Sequence, residues 1–302
     1  MRLAVFHYHL RPGGVTGVVT QACIALGRHA AELDEIILVT GTEENTGRVV
    51  EHISEQAPDL RVSVRVHPEF RYTSDQNGIS MPELEGRIDA LLRERYLADD
   101  LIWWVHNYQL GKNPAFTAAL VHLLETAPRQ KAVLQIHDFP ECARFENLAA
   151  LRSHLRGTVY PTASNIVYAT INERDRRLLV EAGLPAEAVF ALPNPVPPPS
   201  GDSSKSGAEP GEPAEATQPA GGRRADVLSR LGRASGTRFP GFDPEGLLFL
   251  YPVRAIRRKN VLEAGFLTRL FNASSPRRAN LVVTLPGVSS MEKPYSDMVH
   301  AA

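Results

Sequence analysis

The sequence predicts an α/β fold, with a doubly wound parallel sheet over residues 1–196 and a second, incomplete α/β unit after residue 227. Short runs of aliphatic and β-branched residues alternate with segments whose apolar residues recur at helical spacing, the rhythm of a parallel sheet with crossover helices. Polar residues stand where the apolar runs end, at Gly13, His106 and His137. A strand-and-helix pattern resumes at Leu247, beyond a stretch rich in Pro, Gly, Ser, Ala and Glu.

A chain of 302 residues is long enough for about two cores. Its hydrophobic fraction of 43% and charged fraction of 22% are those of an ordinary globular protein. The net charge of -1 gives no overall attraction to nucleic acid or to an anionic membrane, so no nucleic-acid partner is expected and any anion binding is local. The two cysteines, Cys23 and Cys142, lack metal-ligand spacing and read as reduced thiols, which points to a cytoplasmic chain. Leu3-Ala-Val-Phe6 is too short for a signal sequence, and no run approaches the ~20 apolar residues that span a bilayer. Peripheral membrane association and oligomeric state stay open.

Taken in order, Leu3–Phe6 is a strand, and Val15, Val18, Val19, Ala22, Cys23, Leu26 and Ala30 mark the buried face of a helix. Between them, Gly13 and Gly14 permit a positive φ or the close approach of a ligand. Glu35–Thr40 and Arg61–Val66 are strands, the second half-covered because its apolar residues alternate. Ser80-Met-Pro-Glu83 has the form of a capping box before the stripe Leu84, Ile88, Leu91, Leu92, Tyr96. Asp100–Val105 is a strand ending in His106-Asn107, and Asn113-Pro114 opens a helix. Ala132–Ile136 is a strand ending in His137-Asp138. Asn165–Ile171 is the next, followed by a helix with Asn172 as N-cap and Gly183 as its stop. Ala188–Leu192 closes the first domain. In a doubly wound sheet, ligands lie at the carboxyl ends of strands, so Gly13, His106-Asn107 and His137-Asp138 converge on one rim.

Residues 197–226 hold too few large apolar side chains to offset ordering and read as a disordered linker. Asp226–Leu231 has the pattern of a short helix. In residues 227–302, Leu247–Tyr251 is a strand and the segment from Val261 to Phe271 a helix, with apolar residues at 262, 266, 267, 270 and 271. Between them lies Arg254-Ala-Ile-Arg-Arg-Lys259. Cations beside the free N–H groups of a helix start suit a phosphate. Ala279–Leu285 is a further strand.

The order strand, Gly-Gly-Val, strand-end His137, Pro193-Asn-Pro, then Arg254-x-x-x-x-Lys259 resembles glycosyltransferase family 4, which has the GT-B fold of two Rossmann-like domains. The resemblance implies transfer of a hexosyl group from a nucleotide diphosphate sugar to an acceptor hydroxyl, with retention at the anomeric carbon and without a metal or other cofactor. It implies that Arg254 and Lys259 bind the donor diphosphate, that Gly13, Gly14 and Val15 face it from the other domain, and that His137 lies against the donor sugar. Asp138 would orient His137 or touch the acceptor, and His106 and Asn107 are structural or acceptor-side. The loops Pro68–Gly78 and Phe139–Arg156 would select the acceptor. The chain departs from the family after Leu285, where the Glu-x-x-x-x-x-x-x-Glu segment has no counterpart, so a truncated C-terminal domain is expected. Three readings stay open: a glycosyltransferase, a non-catalytic remnant binding an acceptor or partner, and another GT-B enzyme such as a nucleotide-sugar epimerase.

Overall fold

The computed structural model describes residues 1–76, 78–142, 144–195, 242–243, 245–284 and 293–301. It divides into two compact units, Met1–Asp202 and Ser203–Ala302. The expected linker at 197–226 and the expected helix at Asp226–Leu231 lie outside the described residues.

The first unit is built on a parallel sheet of seven strands in the order β3-β2-β1-β4-β5-β6-β7. These are β1 (Arg2–Phe6), β2 (Glu35–Thr40), β3 (Arg61–Val66), β4 (Leu101–His106), β5 (Ala132–Ile136), β6 (Ile166–Thr170) and β7 (Val189–Ala191). The doubly wound expectation holds. The chain runs outward from β1 to β2 and β3, then returns to pair β4 on the other side of β1. The direction of winding reverses between β1 and β4, so the loops leaving these two strands diverge and open a crevice at their carboxyl ends.

Both faces of the sheet are covered, as a parallel sheet requires. Successive strand residues point to opposite faces. Ala4, Phe6 and Trp103 therefore join a core with α3 (Met81–Arg95) and α4 (Pro114–Thr126), while Leu3, Val5 and Trp104 join a second core with α1 (Gly14–His29) and α2 (Thr46–Gln56). The edge strand β3 is only half covered. Its alternating sequence, Arg61-Val-Ser-Val-Arg-Val66, matches that position.

The N-caps form as the sequence indicates, although the capping box is half made: the Glu83 carboxylate accepts from Arg87 Nη2 at 2.8 Å. Ser80 Oγ accepts the Glu83 N–H at 3.4 Å, Asn113 Oδ1 accepts that of Phe116 at 2.9 Å, and Asn172 Oδ1 accepts that of Asp175 at 2.8 Å. Each satisfies one of the N–H groups a helix start leaves free. α6 (Glu173–Glu181) ends before Gly183, whose φ of 105° is open to glycine. The expectation of an irregular loop from Phe139 to Arg156 is corrected: α5 (Phe145–His154) occupies most of it, held by the buried Leu148 and Leu151. α2 is likewise an added helix, packing through Val49 and Ile53.

In the second unit, β8 (Leu247–Tyr251) pairs in parallel with β9 (Ala279–Val283), and α7 (Val261–Ser274) connects them. A helix Lys293–Ala301, here α8, follows. The helical spacing from Val261 onward is borne out, and most of the apolar face stays exposed. Phe266, Leu267 and Leu270 are 61%, 63% and 49% exposed, and the described core of α7 rests on Val261 and Thr268. The two described strands offer too little surface to cover a whole helix stripe. No helix among the described residues is long and apolar enough to cross a membrane.

Candidate functional site

Histidines cluster at the carboxyl ends of β1, β4 and β5. His7 and His9 follow β1, His106 ends β4 and His137 follows β5. The sheet order sets these strand ends side by side, and the imidazoles form a continuous row. Ring centroids lie 5.4 Å apart for His9 and His7, 6.3 Å for His7 and His106, and 5.3 Å for His106 and His137, the last pair stacked at 20°. Tyr72, in the loop after β3, extends the row through a 3.0 Å hydrogen bond between its hydroxyl and His9 Nε2. The sequence placed the polar residues on this rim; it did not show that they touch.

Burial governs the charge of the row. It lowers the His7 pKa to about 3, with the neighbouring His9 and His137 adding to the effect. It lowers His137 to about 4, against a small upward pull from Asp138. His106 is held well below its ordinary value by burial and then by His137 and His7. His9 is lowered too, first by burial and then by Arg11. Desolvation disfavours the charged imidazolium, so near neutral pH the rim carries uncharged rings. Among the described residues no group of three or more His, Cys, Asp or Glu side chains is placed to hold a metal ion.

The row is tied to the scaffold by its neighbours. Asn107 is buried with a left-handed backbone at φ 56°, and its Oδ1 accepts the His137 N–H at 2.9 Å. His106 Nδ1 lies 3.0 Å from His137 Nε2. The Asp138 carboxylate turns instead to Arg144 Nη2 at 2.9 Å. His137 is thus oriented by His106 and Asn107, and Asp138 reaches it only through its charge.

Gly13 precedes α1 at φ 174°, an extended backbone open to any residue, which corrects the expectation of a positive φ there. Packing does not demand glycine either. A side-chain carbon added at Gly14 would meet nothing within 4 Å, and one at Gly13 only the Arg11 carbonyl at 3.7 Å. The turn at Gly13, Gly14 and Val15 therefore leaves open space beside the helix start. Gly111 differs: its φ is 64° and an added carbon would run into the Asn147 backbone.

In the second unit, Arg254 is exposed and Lys259 half-buried on the turn from β8 to α7, as the spacing indicated. The Lys259 carbonyl accepts the Tyr251 hydroxyl at 2.6 Å, which fixes the turn on the strand. One N–H expected to be free at the helix start is occupied, because Leu262 N donates to the Tyr295 hydroxyl at 3.3 Å. The Arg257 guanidinium lies 5.6 Å from the Tyr295 ring centroid, so it faces α8. Tyr295 is 33 residues from Leu262, too far for any local pattern to reveal.

No protein-family profile matches the chain. It is 34% identical over 297 residues to a protein of Petrotoga mobilis named mannosylglucosyl-3-phosphoglycerate synthase, a match that takes in 98% of this chain and 53% of that protein. The chain thus spans about half the length of the curated relative it matches. Among solved structures it is similar to a UDP-GlcNAc 2-epimerase of Neisseria meningitidis bound to UDP-GlcNAc, with a TM-score of 0.48 and 11% identity, covering 100% of this chain and 70% of that one. It is also similar to the apo form of a lipopolysaccharide outer core galactosyltransferase, with a TM-score of 0.44 and 11% identity, covering 99% and 65%.

Proposed function

We propose that this chain belongs to a nucleotide-sugar-dependent glycosyltransferase of GT-B type and family 4, which moves a hexosyl group to an acceptor hydroxyl with retention at the anomeric carbon. One observation carries the reading: the 34% identity to a named synthase of a glycosylated phosphoglycerate extends along 98% of the chain and so runs through both units. By that relative's name, the acceptor class is an anionic sugar conjugate bearing phosphoglycerate.

The chemistry asks for two things. Negative charge grows on the departing nucleoside diphosphate, and fixed cations stabilise it. Arg254 and Lys259 supply them at the start of α7, and the reading needs no metal. The sugar hydroxyls must also find hydrogen-bonding partners. His137, neutral and half-buried at the end of β5, meets that need. The open turn at Gly13, Gly14 and Val15 admits a bulky polar ligand to the rim. Asp138, half-exposed with Arg144, is suited to the acceptor side. The protein is read as cytoplasmic.

The test is product formation from GDP- and UDP-hexoses with glucosyl-3-phosphoglycerate as acceptor. The proposal expects a new glycosidic bond of retained anomeric configuration that forms only when donor and acceptor are both present. Conversion of the nucleotide sugar to its epimer without an acceptor would assign the chain to epimerases instead.

A further inference from the structure

The hydrogen bond between His106 and His137 has a consequence for which proton the outer ring carries. Two neutral imidazoles joined at Nδ1 of one and Nε2 of the other share a single proton in that bond. Either His106 Nδ1–H donates and His137 Nε2 accepts, or the reverse. The choice is decided inside the protein. His106 is 1% exposed, and its Nε2 is fully buried with no hydrogen-bond partner. If His137 donated, the His106 proton would sit on that Nε2, as a buried N–H with nothing to receive it. Orphaned buried N–H groups are rarer than under-satisfied acceptors, because an unpaired donor forfeits its hydrogen bond to water without replacing it. The other arrangement leaves only a bare lone pair there.

We propose that His106 is a positioning residue that fixes His137 as the Nδ1–H tautomer, so that His137 presents a hydrogen-bond donor to an acceptor oxygen of the ligand. The ring does not act as a base, because its Nε2 lone pair is already taken by His106. The ligand atom it recognises is therefore a hydroxyl or phosphate oxygen. Asn107 completes the arrangement by holding the His137 backbone at 2.9 Å, which leaves the ring its correct height against His106. The identity of the ligand rests on the glycosyltransferase reading; the tautomer does not.

The experiment is long-range proton–nitrogen correlation NMR of the full chain labelled at histidine, near neutral pH. The result expected is Nδ1–H with a bare Nε2 for both His106 and His137. His106→Leu should release His137 into a mixture of tautomers, because nothing then donates to its Nε2. A His137 protonated at Nε2 in the wild-type protein would overturn the proposal even if the variant does not fold, and so would an unchanged tautomer in folded His106→Leu. Titration with a nucleotide sugar separates the two readings: His106→Leu should weaken binding about tenfold, the worth of roughly one hydrogen bond. If the tautomers are as stated and no nucleotide sugar binds the wild-type chain, the ligand assignment fails and the positioning role stands.

Discussion

Asn107 Oδ1 accepts the backbone N–H of His137 at 2.9 Å, so a residue just beyond β4 sets the position of the ring beyond β5. Asn107 is suited to this on two counts. Its backbone adopts φ 56°, which asparagine tolerates better than most residues, and its short amide reaches the neighbouring strand end. Asn107→Gly removes the side-chain bond and leaves a residue at ease at positive φ, whereas Asn107→Ala removes the same bond and keeps a β-carbon in the left-handed region without the amide that lets asparagine tolerate it. The expected losses are about 1 kcal/mol or more for the first and roughly 1–2 kcal/mol beyond that for the second. Denaturant unfolding measures both. Equal losses would show that the backbone conformation contributes nothing.

The buried histidines predict a loss of stability on mild acidification. His137 is lowered to about 4 and His7 to about 3, both from an ordinary 6.5, and His106 and His9 move the same way. In the unfolded chain these rings take up protons near pH 6.5, while in the folded unit they stay neutral. Stability is therefore fully present above about pH 6.5 and falls as the pH drops towards 4, by up to ~1.4 kcal/mol per pH unit for each ring. Both tryptophans, Trp103 and Trp104, lie in the first unit, so their fluorescence follows its unfolding alone. Folded His137→Gln should show a shallower fall between pH 7 and 5. A midpoint that does not move over that range would contradict the burial of these rings.

Two glycines should respond in opposite ways to the same substitution. Gly111→Ala meets the Asn147 backbone at φ 64° and should lower stability by several kcal/mol, or prevent folding of the first unit. Gly14→Ala meets nothing of the chain and starts a helix, so the melting temperature should change little. Its effect belongs to the ligand: nucleotide-sugar affinity should drop because the added methyl group fills the space beside the helix start. Unchanged affinity in Gly14→Ala would remove the turn from the site.

What the sequence revealed followed local chemistry. The run Ala132–Ile136 is bounded by Lys131 and His137 and forms a strand over those same residues. Asn113-Pro114 and Asn172 declare their helix starts because a cap needs only three consecutive residues beyond it. α5 was hidden because its apolar residues, led by Leu148 and Leu151, make only a thin stripe among charged neighbours. The histidine row was hidden for another reason. His7, His106 and His137 are far apart in sequence, and their contact depends on β1, β4 and β5 being adjacent, which follows from sheet order alone. In α7, periodicity disclosed that an apolar face exists and could not disclose what covers it, as Phe266 and Leu267 show.

Arg254 and Lys259 are proposed to bind the diphosphate of a nucleotide sugar, and calorimetric titration of this chain with UDP- and GDP-sugars decides it. Saturable binding is expected, weakened about tenfold or more by Lys259→Ala, in line with a lost charge-assisted hydrogen bond. Arg269→Ala, on an exposed position of α7, should bind as the wild-type chain does. Equal affinity in the two variants, or no binding by a folded wild-type chain, would contradict the assignment of this turn as the donor site.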